Sequence, residues 1–351
     1  MGYRTLGRTG VKVSQLTLGA MNFGAYGNSD HDDAIRIIHR ALDAGINIID
    51  TADVYSQGES EIIVGKALRG RRDAVVLATK FHGQFGDGIN TSGSSRRWIF
   101  QAVEHSLERL QTDHIDLYQA HKPDPTVDLS ETLGALDDLV RQGKIRYYGT
   151  TTYEPHLLVE AQWVAERDGL RRPATEQPPY SILARGAERA TLPIAGRYGL
   201  GVLTWSPLAG GWLSGRHQAD VQSPPSRRAQ RLPQRHDLAL PINQTKRDLA
   251  IRLGELAQKA GISLPELAVA FVLNHPQVTS ALIGPRTFEQ LEGVLRAPEV
   301  VLDQAILDAI DEIVPPGVTI NRADEGWLPP WLGDDAAARR RVPPQPAPVS
   351  G

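Results

Sequence analysis

The feature that most constrains this chain is a repeat of two alternating patterns. Short β-branched or apolar runs recur eight times, separated by longer stretches with helical periodicity. The runs are Gln15–Leu18, Ile46–Ile49, Ala74–Thr79, Ile115–Gln119, Ile145–Gly149, Ala174–Gln177, Gly201–Trp205 and Ser280–Ile283. In several of them, Ala74–Thr79, Gly201–Trp205 and Ser280–Ile283 among them, apolar residues occupy consecutive positions, the pattern of strands buried on both faces. Strands alternating with helices build parallel βαβ units.

The intervening helices carry their own signals. Ile35, Ile38 and Leu42 share a face after the polar start Ser29-Asp30. Ile99, Val103, Leu107 and Leu110 do so after Ser94-Ser95, and Leu133, Leu136 and Val140 after Ser130. Ser263-Leu264-Pro265-Glu266 reads as a capping box with an early proline, opening a helix through Leu273. Gly45, Gly70, Gly143 and Gly169 stand where helices should stop.

Eight such units form either a (β/α)8 barrel or a doubly wound sheet. The barrel is favoured because Gly19-Ala20-Met21-Asn22-Phe23-Gly24, after the first run, is no Gly-x-Gly-x-x-Gly turn. Polar residues also cluster beyond the C-terminal ends of several different strands, where barrel sites lie. Tyr3–Val13, with Gly7-Arg8-Thr9-Gly10 between apolar flanks, reads as a β-hairpin ahead of the barrel. Residues 1–335 are expected to form a single barrel domain. Trp212–Gln244, with Pro224-Pro225, Pro233 and Pro241, reads as a long loop. Residues 336–351, rich in Arg and Pro, are expected to be a disordered tail.

Composition narrows the function classes. With no cysteine, the chain has no disulfide, thiolate nucleophile or Cys-ligated metal. A formal net charge of −3 gives no global attraction to nucleic acid or anionic membrane. The longest apolar stretches are strand-sized, and Met1–Gly7 lacks the apolar core of a secretory signal, so the expected location is cytoplasmic. No metal is expected, and the oligomeric state is not readable.

The chemical signal lies at the strand ends. Asp50-Thr51-Ala52-Asp53-Val54-Tyr55 follows the second run, Lys80 the third, and Gln119-Ala120-His121 the fourth. Singly, each has an ordinary structural use as cap, packing or surface residue. Adjacent parallel strands lie only about 4.8 Å apart, so equivalent ends share one mouth. A carboxylate, a phenol, an ammonium and an imidazole then meet. A phenol with a reference pKa of about 10 donates a proton near neutrality only if a cation lowers that value. An Asp would orient the Lys and a His would hold a carbonyl oxygen, an assembly suited to protonating an oxyanion as hydride arrives at carbon.

Longer motifs carry a resemblance. Tyr3-Arg4-Thr5-Leu6-Gly7-Arg8-Thr9-Gly10, Ala44-Gly45-Ile46-Asn47-Ile48-Ile49-Asp50-Thr51-Ala52-Asp53-Val54-Tyr55, Glu176-Gln177-Pro178-Pro179-Tyr180, Trp205-Ser206-Pro207-Leu208-Ala209-Gly210 and Ile283-Gly284-Pro285-Arg286-Thr287 resemble the aldo-keto reductase superfamily, nearest its bacterial and channel-β-subunit-like branches. The resemblance covers roughly residues 3–314 and implies a barrel holding NADP(H) at its C-terminal mouth. It implies Asp50, Tyr55, Lys80 and His121 as a catalytic tetrad, with Tyr55 the general acid. By the same resemblance, Gly19, Met21, Asp50, Thr151 and Thr152 would contribute to cofactor binding, Gln177 would bind the nicotinamide carboxamide and Trp205 would stack on its ring. Ser206, Pro207, Leu208 and Gly210 would line the pyrophosphate, and Gly284, Arg286 and Gln290 the adenosine 2′-phosphate and ribose. The sequence departs from the family at Gly149-Thr150-Thr151-Thr152, where Gly-x-Ser-Asn is usual, and at Gly293-Val294, where an acidic residue and Asn are common.

The substrate mouth is expected to include Phe23, Tyr55, Phe81, His121, Trp212 and Trp327, an apolar surround if these aromatics are not simply packing. Two functions fit: an NADPH-dependent reductase of aldehydes or ketones acting on a small-molecule carbonyl or alcohol, or an NADP(H)-binding interaction protein with incidental turnover.

Overall fold

The chain opens with β1 (Tyr3–Thr5) and β2 (Lys12–Ser14), an antiparallel hairpin pairing Tyr3 with Ser14. All eight apolar runs then become strands: β3 (Leu16–Gly19), β4 (Ile48–Asp50), β5 (Val76–Phe81), β6 (Ile115–Ala120), β7 (Ile145–Thr151), β8 (Thr175–Gln177), β9 (Gly201–Thr204) and β10 (Ser280–Ile283). This computed structural model describes residues 1–216, 230–329 and 332. The eight strands form a closed parallel barrel in sequence order, shut by the pairing of β10 with β3. The (β/α)8 barrel with an N-terminal hairpin is therefore the fold. The residues of 336–351 lie outside those described, as does Trp331.

Strand alternation divides the apolar residues between two cores. Ile48, Ala78, Leu117, Leu203 and Leu282 point inward, where Leu6 and Val13 of the hairpin join them. Gly7 allows this approach: its φ is +52°, and a Cβ there would stand 2.5 Å from the backbone nitrogen of Gly201. Ile49, Leu77, Phe81, Tyr118 and Ala120 point outward, into the layer between strands and helices.

The helices are α1 (His31–Asp43), α2 (Glu59–Ala67), α3 (Arg96–Leu110), α4 (Leu129–Arg141), α5 (Pro155–Arg167), α6 (Thr191–Tyr198), α7 (Pro233–His236), α8 (Pro241–Lys259), α9 (Leu264–Asn274), α10 (Phe288–Glu292) and α11 (Gln304–Ile313), and all but the short α7 supply buried apolar residues to that layer. Asp30 and Ser95 cap α1 and α3 through their side chains, and the full capping box of Ser263 and Glu266 opens α9. α4 begins earlier than its apolar face suggested, at Leu129, with Asp128 at the cap position. No single helix among the described residues is long and apolar enough to cross a membrane.

The long loop expected over Trp212–Gln244 is corrected in its described part. Pro233 and Pro241 do not interrupt helices; each opens one, at a first-turn position where no backbone N–H is needed.

Candidate active site

Asp50, Lys80, Gln119 and His121 sit at or just past the ends of three neighbouring strands. In register, Asp50 pairs with Ala78, and Lys80 with Gln119. The ladder continues beyond the strands: Thr51 N–H donates to Ala78 O (2.9 Å), Asp53 N–H to Lys80 O (3.1 Å), and His121 N–H to Phe81 O (3.0 Å). These bonds carry strand register into the segments that present Tyr55 and His121.

Lys80 and Asp50 are each 1% exposed, and the Lys80 ammonium is ion-paired to Asp50 Oδ1. The ammonium also donates to Thr51 O at 2.8 Å and to Tyr55 Oη at 3.4 Å. Burial alone would lower the lysine pKa, but the charge of Asp50, then of Tyr55, reverses this and raises it. Lys80 is thus held charged beneath the Tyr55 ring, 5.0 Å from its centroid. His121 meets that ring edge-on at 5.7 Å. Burial, with Lys80 and Lys122 nearby, pushes His121 well below the usual imidazole range, so at neutral pH it is uncharged. The four side chains implied as a tetrad therefore converge at one point.

Gln119 is a further residue of this site, beyond those the sequence motifs imply. Its Nε2 donates to Asp50 Oδ2 at 3.0 Å, as does Nε2 of Gln177, and Gln177 donates to Gln119 Oε1 at 3.2 Å. The available signal was alternation: on the strand carrying inward Leu117, residues 119 and 121 share its face. The Gln177 amide nitrogen is thereby committed to Asp50. The Thr151 hydroxyl likewise donates to the His121 carbonyl, so it steadies the histidine turn.

Below Tyr55 lies a second buried polar cluster. Asp53 Oδ1 accepts from Val54 N–H at 2.7 Å, while Oδ2 has no hydrogen-bond partner among the described residues. Burial, reinforced by Glu61, pushes the Asp53 carboxyl up to about 8. Glu61 is held by Arg109 (2.7 Å) and the Thr79 hydroxyl (2.6 Å).

The rim residues implied for a cofactor lie around the same mouth. Gly19 pairs with Asp50 in register, and half-buried Met21 follows it. Trp205 extends β9, and the turn after it is anchored by Gly210 N–H on Ser206 Oγ (2.8 Å), with half-buried Leu208 and buried Pro207 between. Gly284 O accepts from Asn22 Nδ2 (2.7 Å) and Arg286 O from Asn28 Nδ2 (3.2 Å), so the loop after β3 braces the loop after β10. Gln290 Oε1 accepts from Arg286 N–H at 2.8 Å, fixing that turn. The Arg286 guanidinium makes no ion pair or hydrogen bond with the described residues. Among the described residues, six of the seven non-glycine residues with positive φ lie at this rim or in its loops: Ser56, Gln57, His82, Thr152, Ser206 and Ala209. Strain of this kind concentrates at functional sites.

Three of the aromatics expected at the substrate mouth are packed away from it. Phe81 follows inward Lys80 on β5, so alternation turns it outward onto Tyr118, 5.0 Å away. Phe23 is fully buried in the outer core. Trp212 is 1% exposed and stacks on His236 at 5.9 Å. Tyr55, His121 and half-buried Trp327 remain accessible.

A parallel barrel with a buried Lys80–Asp50 ion pair beside the Tyr55 phenol at its C-terminal mouth defines the class as a barrel enzyme. The aldo/keto reductase family model matches residues 15–315, and the chain belongs to that family of oxidoreductases. An uncharacterized oxidoreductase of Bacillus subtilis, YrpG, is 41% identical over 327 residues, 90% of this chain and 96% of that protein. A probable voltage-gated potassium channel subunit beta of Arabidopsis thaliana is 34% identical over 329 residues, 90% of this chain and 97% of its own length. The aldo-keto reductase YhdN of Bacillus subtilis is 38% identical over 223 residues, covering 62% and 65%.

Proposed function

We propose that this chain is an NADPH-dependent carbonyl reductase that moves hydride reversibly between cofactor and an aldehyde or ketone, with Tyr55 as general acid. The observation that carries the reading is the contact of Lys80 Nζ with Tyr55 Oη at 3.4 Å, backed by the buried ion pair to Asp50. An adjacent ammonium stabilises a phenolate, so it eases loss of the Tyr55 proton to a carbonyl oxygen gaining negative charge. Neutral His121 can donate one ring N–H to the same oxygen and fix its place without competing as a strong acid. Gln119 and Gln177 hold Asp50, and through it Lys80, in line.

The rim suits a dinucleotide phosphate. The Arg286 guanidinium is uncommitted among the described residues and matches a 2′-phosphate. Thr152 Oγ1 is buried with no hydrogen-bond partner among the described residues, an orphaned group that a polar ligand would satisfy. Trp205 and residues 206–210 would hold the nicotinamide and pyrophosphate, and Thr151, Thr152 and Gln177 would border the carboxamide. When bound there, the nicotinamide supplies or accepts the hydride. The likeness to proteins named as channel β-subunits supports a second reading, in which the barrel chiefly binds NADP(H) and a partner.

A panel of aldehydes and ketones scored by NADPH consumption tests both, with Tyr55→Phe beside the parent. The expected result is parent turnover with a loss of at least about 100-fold in the variant, while NADPH still binds. A Tyr55→Phe rate within a few-fold of the parent would refute the acid assignment; cofactor binding without parent turnover would favour the second reading.

A further inference from the structure

The chain leaving α11 does not run off into solvent. Arg185 N–H donates to Val318 O (2.9 Å) and Ile320 N–H to Leu183 O (3.0 Å), so the segment pairs with the loop after β8. Asn321 Nδ2 then donates to Gln234 O (3.0 Å) and to buried Asn243 Oδ1 (2.9 Å). Asp324 Oδ2 takes the ammonium of Lys246 at 2.5 Å, a lysine side chain with no exposure, and Arg235 Nε stands 3.8 Å from the other oxygen. Arg235 O accepts from both Lys246 Nζ and Trp212 Nε1, at 3.1 Å each.

Two residues later the segment reaches the mouth. Gly326 has a φ of +92°, and a Cβ on it would lie 2.8 Å from Thr152 Cγ2 and 3.2 Å from Trp205 Cζ2. The ends of β7 and β9 are thus touched by one tail glycine, with Trp327 immediately after it.

We propose that Asp324 is a positioning residue: through Lys246 and Arg235 it latches the segment Ile320–Trp327 across the barrel mouth and thereby limits the size of carbonyl compound admitted. The cluster sets the buried Lys246 and the partly exposed Arg235 against one carboxylate, so losing that carboxylate strands above all the buried ammonium. Burial already lowers the pKa of Lys246, opposed by Asp324. The size limit rests on the carbonyl-reductase reading; the latch itself does not.

The test uses the full chain with NADPH, as parent, Asp324→Asn and Gly326→Ala. The second variant pushes the segment off by a methyl group and leaves the buried charges alone. Hydrogen exchange is read over residues 318–327 and at the mouth amides of Thr152 and Trp205. Steady-state kinetics are read with a three-carbon aldehyde and a bulky aryl ketone. Both variants should exchange about tenfold faster over the segment, as a locally opened unit does. Both should raise the ketone-to-aldehyde ratio of kcat/KM about tenfold, chiefly through KM, with kcat for the aldehyde within about threefold of the parent. Unchanged exchange in both variants overturns the latch. Faster exchange with an unmoved ratio overturns its role in selectivity. If the parent reduces no carbonyl, the functional reading falls, and the exchange data still decide the latch.

Discussion

Replacing Lys80 by Met removes one charge from the buried centre of the site while keeping a side chain of similar length. Asp50 then loses its ion-pair partner and, among the described residues, retains only the amide donors of Gln119 and Gln177, each at 3.0 Å. Breaking a buried pair from one side costs about 3–5 kcal/mol, because the remaining charge stays desolvated. Hydrogen bonds to a charged group are worth about 1.5–3 kcal/mol each, so the two amides hold the loss near that range. The double variant Asp50→Asn, Lys80→Met leaves no stranded charge and should cost only about 1–2 kcal/mol, a coupling of at least 2 kcal/mol across the cycle. Urea unfolding at neutral pH of the parent, both single variants and the double variant measures this. Turnover should not follow stability: Lys80→Met should lose about 10²–10⁴-fold in carbonyl reduction, and the double variant should stay inactive, since Tyr55 still lacks its ammonium. Additive stabilities, or turnover that returns with the second substitution, would refute the reasoning.

Two further outcomes are expected. Arg286→Ala should shrink the preference for NADPH over NADH by about ten- to a hundredfold, the worth of charge-assisted bonds to a phosphate; an unchanged ratio of dissociation constants by fluorescence titration would show that the guanidinium does not read it. Asp53, raised to about 8 by burial and then Glu61, keeps its proton in the folded state at pH values where the unfolded chain has released it. Its stabilising contribution is therefore full below about pH 4 and lost as pH climbs toward the folded value, a slope of about 1.4 kcal/mol per pH unit. Asp53→Asn should flatten the stability profile by that amount between about pH 5 and 8, as read by urea unfolding at three pH values, and parallel profiles would count against a buried protonated Asp53.

The barrel was legible because its strands are buried on both faces, which leaves consecutive apolar residues that no solvated loop would carry. The tetrad residues were legible as types at strand ends, since Asp50, Lys80 and His121 each follow an apolar run. What the runs concealed was facing. Phe81 was expected at the mouth because it adjoins Lys80, and for that very reason it points the other way. Gln119 was overlooked because an uncharged amide gives no chemical signal until Asp50 is seen to need a second oxygen satisfied. Long-range partners left even less trace: nothing near Asp324 in the sequence announces Lys246, which lies on a helix far upstream. Pro233 and Pro241 looked like loop residues because proline is the same letter in a coil and at the first turn of a helix.

The closure of the barrel has a consequence for how the chain is made. Leu16 pairs with Ala281, so the earliest barrel strand waits for the last. While a ribosome delivers most of the polypeptide, β3 has one edge without its final neighbour, and β9 gains its outer partner only when Ser280 emerges. The hairpin β1–β2 is complete long before the interior that receives Leu6 and Val13 exists. Such a growing chain exposes open strand edges and apolar side chains for as long as synthesis lasts, the interval in which it depends most on protection from other nascent chains.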